Sequence, residues 1–167
     1  AEKASDLFES PWVKSRVTVD AAALARAELD PSFTHDRRVV LLDQLVEVVR
    51  TDGSALSYRH GLVRLLTKEA TDIQGELELP QGAVALSLRT LKPDGSAIDV
   101  DRHEGKDDLS FSGLAIGDTV EHEWLELTGA ETMFGGYLRR FFLKSDAATL
   151  RSELIVVVPA GLKLRTY

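Results

Sequence analysis

Three groups of residues are of the right type and spacing to do chemistry. Asp99, Asp101 and His103 alternate along one stretch, with Asp107 and Asp108 close behind. On a strand, alternate residues share a face, so two carboxylates and an imidazole could converge on a divalent cation. The plain reading is the polar outer face of an edge strand whose inner face is Ile98 and Val100. An EF-hand is excluded, because the Gly at loop position 6 and the Glu at position 12 are missing. Glu121 and Glu123 also alternate, roughly 7 Å apart at Cβ, within the range of a glycosidase pair. Such pairs come from different strands around a cleft, so these two read as exposed carboxylates that protect a strand edge. The third group is aromatic. Trp12, Trp124 and Tyr137 are the candidate ligand-binding residues, since an exposed ring can stack on a sugar. For Trp124, which shares a face with His122, a place in the core is the simpler reading, and His60 is read as a core histidine.

Other chemistries are excluded by what is missing. The chain has no cysteine, hence no thiol nucleophile, thiolate metal site or disulfide. No catalytic residue and no cofactor site is assigned. Gly135-Gly136 is followed by neither Lys-Ser/Thr nor a helix signal, so no phosphate loop is expected. Net charge is −7, which argues against nucleic acid as a partner. Arg139, Arg140, Lys144 and Arg151 form a basic cluster around Phe141 and Phe142. Its expected role is pairing with Asp118, Glu121, Glu123, Glu126 and Glu131, within the domain or across an interface. No apolar run approaches the ~20 residues of a membrane-spanning helix, so membrane insertion is not expected.

The elements that must position these residues are mostly strands. Residues 1–37 read as a connector with one short helix over 20–29, started by Asp20 as N-cap and ended by Asp30-Pro31. Residues 38–167 read as a β domain. Asp52-Gly53 joins strands 38–51 and 54–68 as a hairpin. With a two-residue turn, Val49 faces Leu56, Leu45 faces His60, Leu42 faces Val63 and Val40 faces Leu65. The apolar pairs then change face near Gln44 and Gly61. A β-bulge or bend near Gly61, or a strand covered on both sides, is therefore expected. A second hairpin turns at Pro93-Asp94-Gly95, with Val84, Leu86 and Leu88 on its inner face. Further strands are expected at 119–127, 138–144, 150–158 and 162–167, the Ile155-Val156-Val157-Val158 run being central in its sheet. Many short strands with Gly/Pro turns predict an antiparallel β-sandwich with a short N-terminal helix. The polar start and the apolar alternation at the end suggest a segment of a longer protein.

Four of these stretches carry a resemblance. They are Arg38-Val-Val-Leu-Leu-Asp-Gln-Leu-Val-Glu-Val-Val-Arg-Thr-Asp-Gly53, Leu91-Lys-Pro-Asp-Gly-Ser-Ala-Ile-Asp-Val100, Leu114-Ala-Ile-Gly-Asp-Thr-Val-Glu-His-Glu-Trp124 and Leu150-Arg-Ser-Glu-Leu-Ile-Val-Val-Val-Pro-Ala-Gly-Leu162. In this order they resemble a bacterial domain of unknown function that precedes transglutaminase-like, papain-like cores. The resemblance implies a β-sandwich without catalytic residues, a periplasmic or extracellular setting, and a Cys-His-Asp machinery in a neighbouring domain of the same polypeptide. The function expected from it is that of a non-catalytic accessory or interaction domain. The alternative is a carbohydrate- or peptide-binding β-sandwich.

Overall fold

Val and Leu dominate residues 38–65, and that stretch becomes the centre of the molecule. The computed structural model describes residues 11–102, 108–129, 137–143 and 147–165. Strands β1 (Arg38–Val49) and β2 (Ala55–Leu65) form an antiparallel hairpin. Val49 pairs with Ala55 and Leu45 with Arg59, one residue out of the expected register. The reason is the turn. Arg50 N donates to Ser54 O (2.8 Å) and Gly53 N to Arg50 O (3.1 Å), so the loop has three residues instead of two. Gly53 holds the left-handed conformation that such a loop requires, at φ 84°.

The register shifts between Val40 and Leu42, leaving Leu41 as the extra residue of a bulge opposite Leu62. The irregularity thus falls on β1, beside the Asp43–Gly61 pair. Leu41 and Leu42 can then both be buried although strict alternation would expose one of them. Each fully buried Leu is worth about 1.5–3 kcal/mol.

Two short helices precede the hairpin, α1 (Pro11–Val17) and α2 (Ala21–Arg26), followed by a 3-10 turn (Pro31–His35). Asp20 caps α2 by accepting from Ala23 N at 2.8 Å. Ala21 and Ala25 pack on Val39, Leu41, Leu42 and Leu62, with Leu24, Leu29 and Phe33 around them. After β2, Thr67 caps α3 (Lys68–Ile73) through Ala70 N. Ala70 joins Val63, Leu65, Phe111 and Val120 in a second cluster.

The remaining strands are β3 (Glu76–Glu78), β4 (Val84–Leu91), β5 (Ala97–Asp99), β6 (Asp101–Arg102), β7 (Asp108–Ser110), β8 (Thr119–Thr128), β9 (Ala148–Thr149) and β10 (Ser152–Val157). Among the described residues, a 7-stranded sheet has the order β10-β1-β2-β8-β4-β5, with β9 also on β1, and a 3-stranded sheet has the order β3-β7-β6.

This corrects the expected antiparallel sandwich. β9 and β10 run parallel to β1, so the main sheet is mixed, and it does not close into a barrel. α2 and α3 pack against parts of it, while the second sheet consists of strands of two or three residues. Direction is invisible in a short apolar run, which suits either kind of neighbour. The run 155–158 was expected at the centre of a sheet, yet β10 lies at its edge. The described residues of 138–144 and 162–167 form no strand. Val84, Leu86 and Ile98, expected inside, are exposed.

Candidate functional site

One face of the main sheet carries a polar corner built from β1, β2, β4 and β8. The register places Gln44 beside His60, His60 beside Glu123, and Arg89 beside Glu121. Gln44, His60 and Glu121 are buried. His60 Nε2 lies 3.0 Å from Glu121 Oε1, and Arg89 Nε donates to the other oxygen of Glu121. The Tyr58 hydroxyl donates to Glu123 Oε1 at 2.7 Å. Residues 17–22, from the last residue of α1 into the first turn of α2, roof the corner and leave a cleft of about 440 Å³.

The electrostatics follow from these contacts. Burial alone would raise the pKa of Glu121, but hydrogen bonds from His60 and Arg89 outweigh it, and the carboxyl sits below its usual range. Tyr58 is pushed up by burial and then by the Glu123 carboxylate, so its hydroxyl stays a proton donor.

On the opposite face, Gly61 pairs with Asp43 and with His122. A Cβ on Gly61 would fall inside the His122 ring, so the glycine is what lets the imidazole lie flat across β2. His122 also packs on Trp124, with ring centres 5.1 Å apart. Desolvation is the main cause that lowers its pKa to about 4, with the charges of His60 and Arg59 adding to it. The ring borders a second cleft, of about 380 Å³, with Arg59, Phe142, Leu143 and Ser152 among its walls. Farther along this face, Glu47 is buried and accepts from Ser57 Oγ (2.8 Å) and from the Tyr137 hydroxyl (3.1 Å). Arg139 Nε lies 3.1 Å from Glu47 Oε1.

The candidates named from sequence are dispersed. Asp99 is exposed on β5, whereas Asp101 begins β6 in the other sheet. The side chain of Asp101 and the whole of His103 lie outside the described residues. Trp124 is 9% exposed. Tyr137 is half-buried against Glu47. Trp12 lies on α1, and its side chain is outside the described residues. Glu121 and Glu123 were expected at an exposed edge, but β8 lies between β2 and β4, and Glu121 is 2% exposed. In the basic cluster, Arg139 pairs with Glu47 and Arg151 with Glu153, neither of which is among the acidic residues expected. The corner formed by Tyr58, His60, Arg89, Glu121 and Glu123 was missed because it depends on β2 and β4 flanking β8. The one local signal was the alternation of the two carboxylates Glu121 and Glu123 on β8.

No protein-family model and no curated protein matches this sequence. Similarity is found in a solved structure, a protein from Parabacteroides distasonis described as a "putative protease", at a TM-score of 0.57 and 16% sequence identity. The superposition takes in 75% of this chain and 29% of that one. At this identity the likeness concerns the fold alone: a mainly β unit also found inside a chain several times longer than the shared part.

Proposed function

We propose that this chain is a non-catalytic accessory domain of a larger bacterial protein, adjoining a transglutaminase-like core. The observation that carries the reading is the unequal coverage, most of this chain against less than a third of a protein described as a "putative protease". Two further points support it. Without a cysteine the chain cannot supply the thiolate of a papain-like reaction. Its buried carboxylates Glu47 and Glu121 are each held by an arginine, which suits structural work better than proton transfer.

The native gene product tests the partner. A Cys…His…Asp core in the same polypeptide is expected, and its absence would overturn that neighbour. Hydrolysis assays test the other half. The purified chain should turn over a labelled casein no faster than buffer does, whereas turnover that survives repurification would overturn the non-catalytic reading.

A peptide-binding role is the second reading, favoured by the side of β10 that no strand among the described residues pairs with. The carbohydrate version is weakened, because Trp124 is buried and Tyr137 is tied to Glu47.

A further inference from the structure

The polar corner holds a set of donors that hydrogen bonding alone does not fully use. One ligand atom each from His60, Glu121 and Glu123 lie within 4.8 Å of one another. Tetrahedral zinc, with bonds of about 2.0–2.1 Å, needs its ligand atoms roughly 3.3–3.5 Å apart. Closing the set takes about 1 Å of movement, within reach of a rotamer adjustment at the half-buried Glu123. An imidazole with two carboxylates is a suitable set for a borderline divalent cation. Both carboxylates are already oriented. Arg89 holds one oxygen of Glu121 and leaves the other toward His60, while Tyr58 holds one oxygen of Glu123. With a neutral imidazole, two carboxylates against one guanidinium leave the corner with a surplus negative charge.

A separate observation points the same way. His60 Nδ1 is buried with no hydrogen-bond partner among the described residues, and so is Gln44 Oε1. These residues are paired across β1 and β2, so they share a face. A histidine that binds a cation through Nε2 carries its proton on Nδ1 and donates it to a carbonyl or carboxylate. Gln44 Oε1 is a spare carbonyl acceptor at the neighbouring position.

We propose that His60 Nε2, Glu121 and Glu123 form a binding site for a divalent transition-metal cation of the Zn²⁺ class, with Gln44 as the acceptor for His60 Nδ1–H. Arg89 and Tyr58 orient the carboxylates, and the cleft beneath residues 17–22 is the way in. The site is independent of the accessory-domain reading and lies on other residues than Asp99, Asp101 and His103.

Titration calorimetry and thermal melts of the full chain, tag removed and chelator-treated, test it with Zn²⁺, Mn²⁺ and Co²⁺. Binding of one Zn²⁺ per chain, a raised Tm and visible Co²⁺ absorption bands are expected. Glu123→Gln and His60→Gln should each weaken Zn²⁺ binding on the order of tenfold or more, and Gln44→Met about tenfold. Glu123→Gln can still accept from Tyr58, so it remains a folded test if His60→Gln does not fold. Absence of heat and of any Tm shift with all three cations would overturn the site. So would unchanged Zn²⁺ binding in Glu123→Gln, or its loss in His35→Ala, which alters an exposed histidine elsewhere.

Discussion

Gly61 and His122 act as one unit, since the ring occupies the space where any other residue would place its Cβ. Gly61→Ala should therefore destabilise the fold by about 1–3 kcal/mol through overpacking. Combining it with His122→Ala should recover part of the loss, with a coupling on the order of 1 kcal/mol in urea midpoints; strictly additive effects would refute the contact. The same ring makes stability depend on pH. Its folded pKa of about 4 lies below the ordinary histidine value of 6.5, so between these values the unfolded chain binds more protons than the folded one. Stability from this source is complete above about 6.5 and drains away as pH falls toward about 4. Glu121 acts in the same direction at lower pH, because its carboxyl is also depressed in the fold. His122→Leu should flatten the upper part of this acid limb, between pH 6.5 and 5, as read from thermal melts at a series of pH values. Of this unit the sequence made only the irregularity near Gly61 legible. The change of apolar face marked it, but not its cause: the bulge sits at Leu41, and Gly61 makes room for a side chain from β8, a strand some sixty positions away.

At the scale of elements, one side chain ties the end of α2 to the sheet, beside the core packing of Ala21 and Ala25. Arg64 on β2 donates to the carbonyls of Leu24, Ala25 and Ala27 at the end of α2, where unpaired carbonyls favour a cation. Arg64→Met keeps the stem and removes those bonds. It should free the segment locally, at a cost of about 1.5–3 kcal/mol for hydrogen bonds to a charged group. Faster amide exchange over residues 21–27 and quicker trypsin cleavage after Arg26 are expected, with β1 and β2 still protected; uniform loss of protection would show that the segment is integral to the core. The hairpin offers a second test. Gly53→Val forces a branched residue into the left-handed region and should cost about 1–2 kcal/mol, and an unchanged melting temperature would contradict the turn. Local chemistry made both features readable. Asp20 announced its helix, and Asp52-Gly53 announced its turn. The register was not readable, because a two- and a three-residue loop use the same dipeptide and only cross-strand packing chooses between them.

For the whole molecule, what matters is how the sheet ends. Natural edge strands are short, charged or covered. β5 fits that rule, with three residues that include Asp99. β10 does not: over six residues its only charge is Glu153, and Leu154 is 40% exposed between half-buried neighbours. The run 155–158 has the composition of an interior strand, which is why the sequence placed it at the centre. The order of strands decides otherwise, since the chain returns beside β1 in parallel and nothing among the described residues pairs with its far side. An apolar edge of this kind is what the proposed accessory role would require, with a neighbouring domain covering it. The chain purified alone should therefore self-associate as its concentration rises, as followed by sedimentation or light scattering. Leu154→Lys places a charge on that edge at an already exposed position, so it should suppress association while shifting the urea midpoint by well under 1 kcal/mol equivalent. A wild-type chain that stays monomeric at every concentration would show that the edge is protected, and the case for a covering neighbour would then rest on the unequal coverage alone.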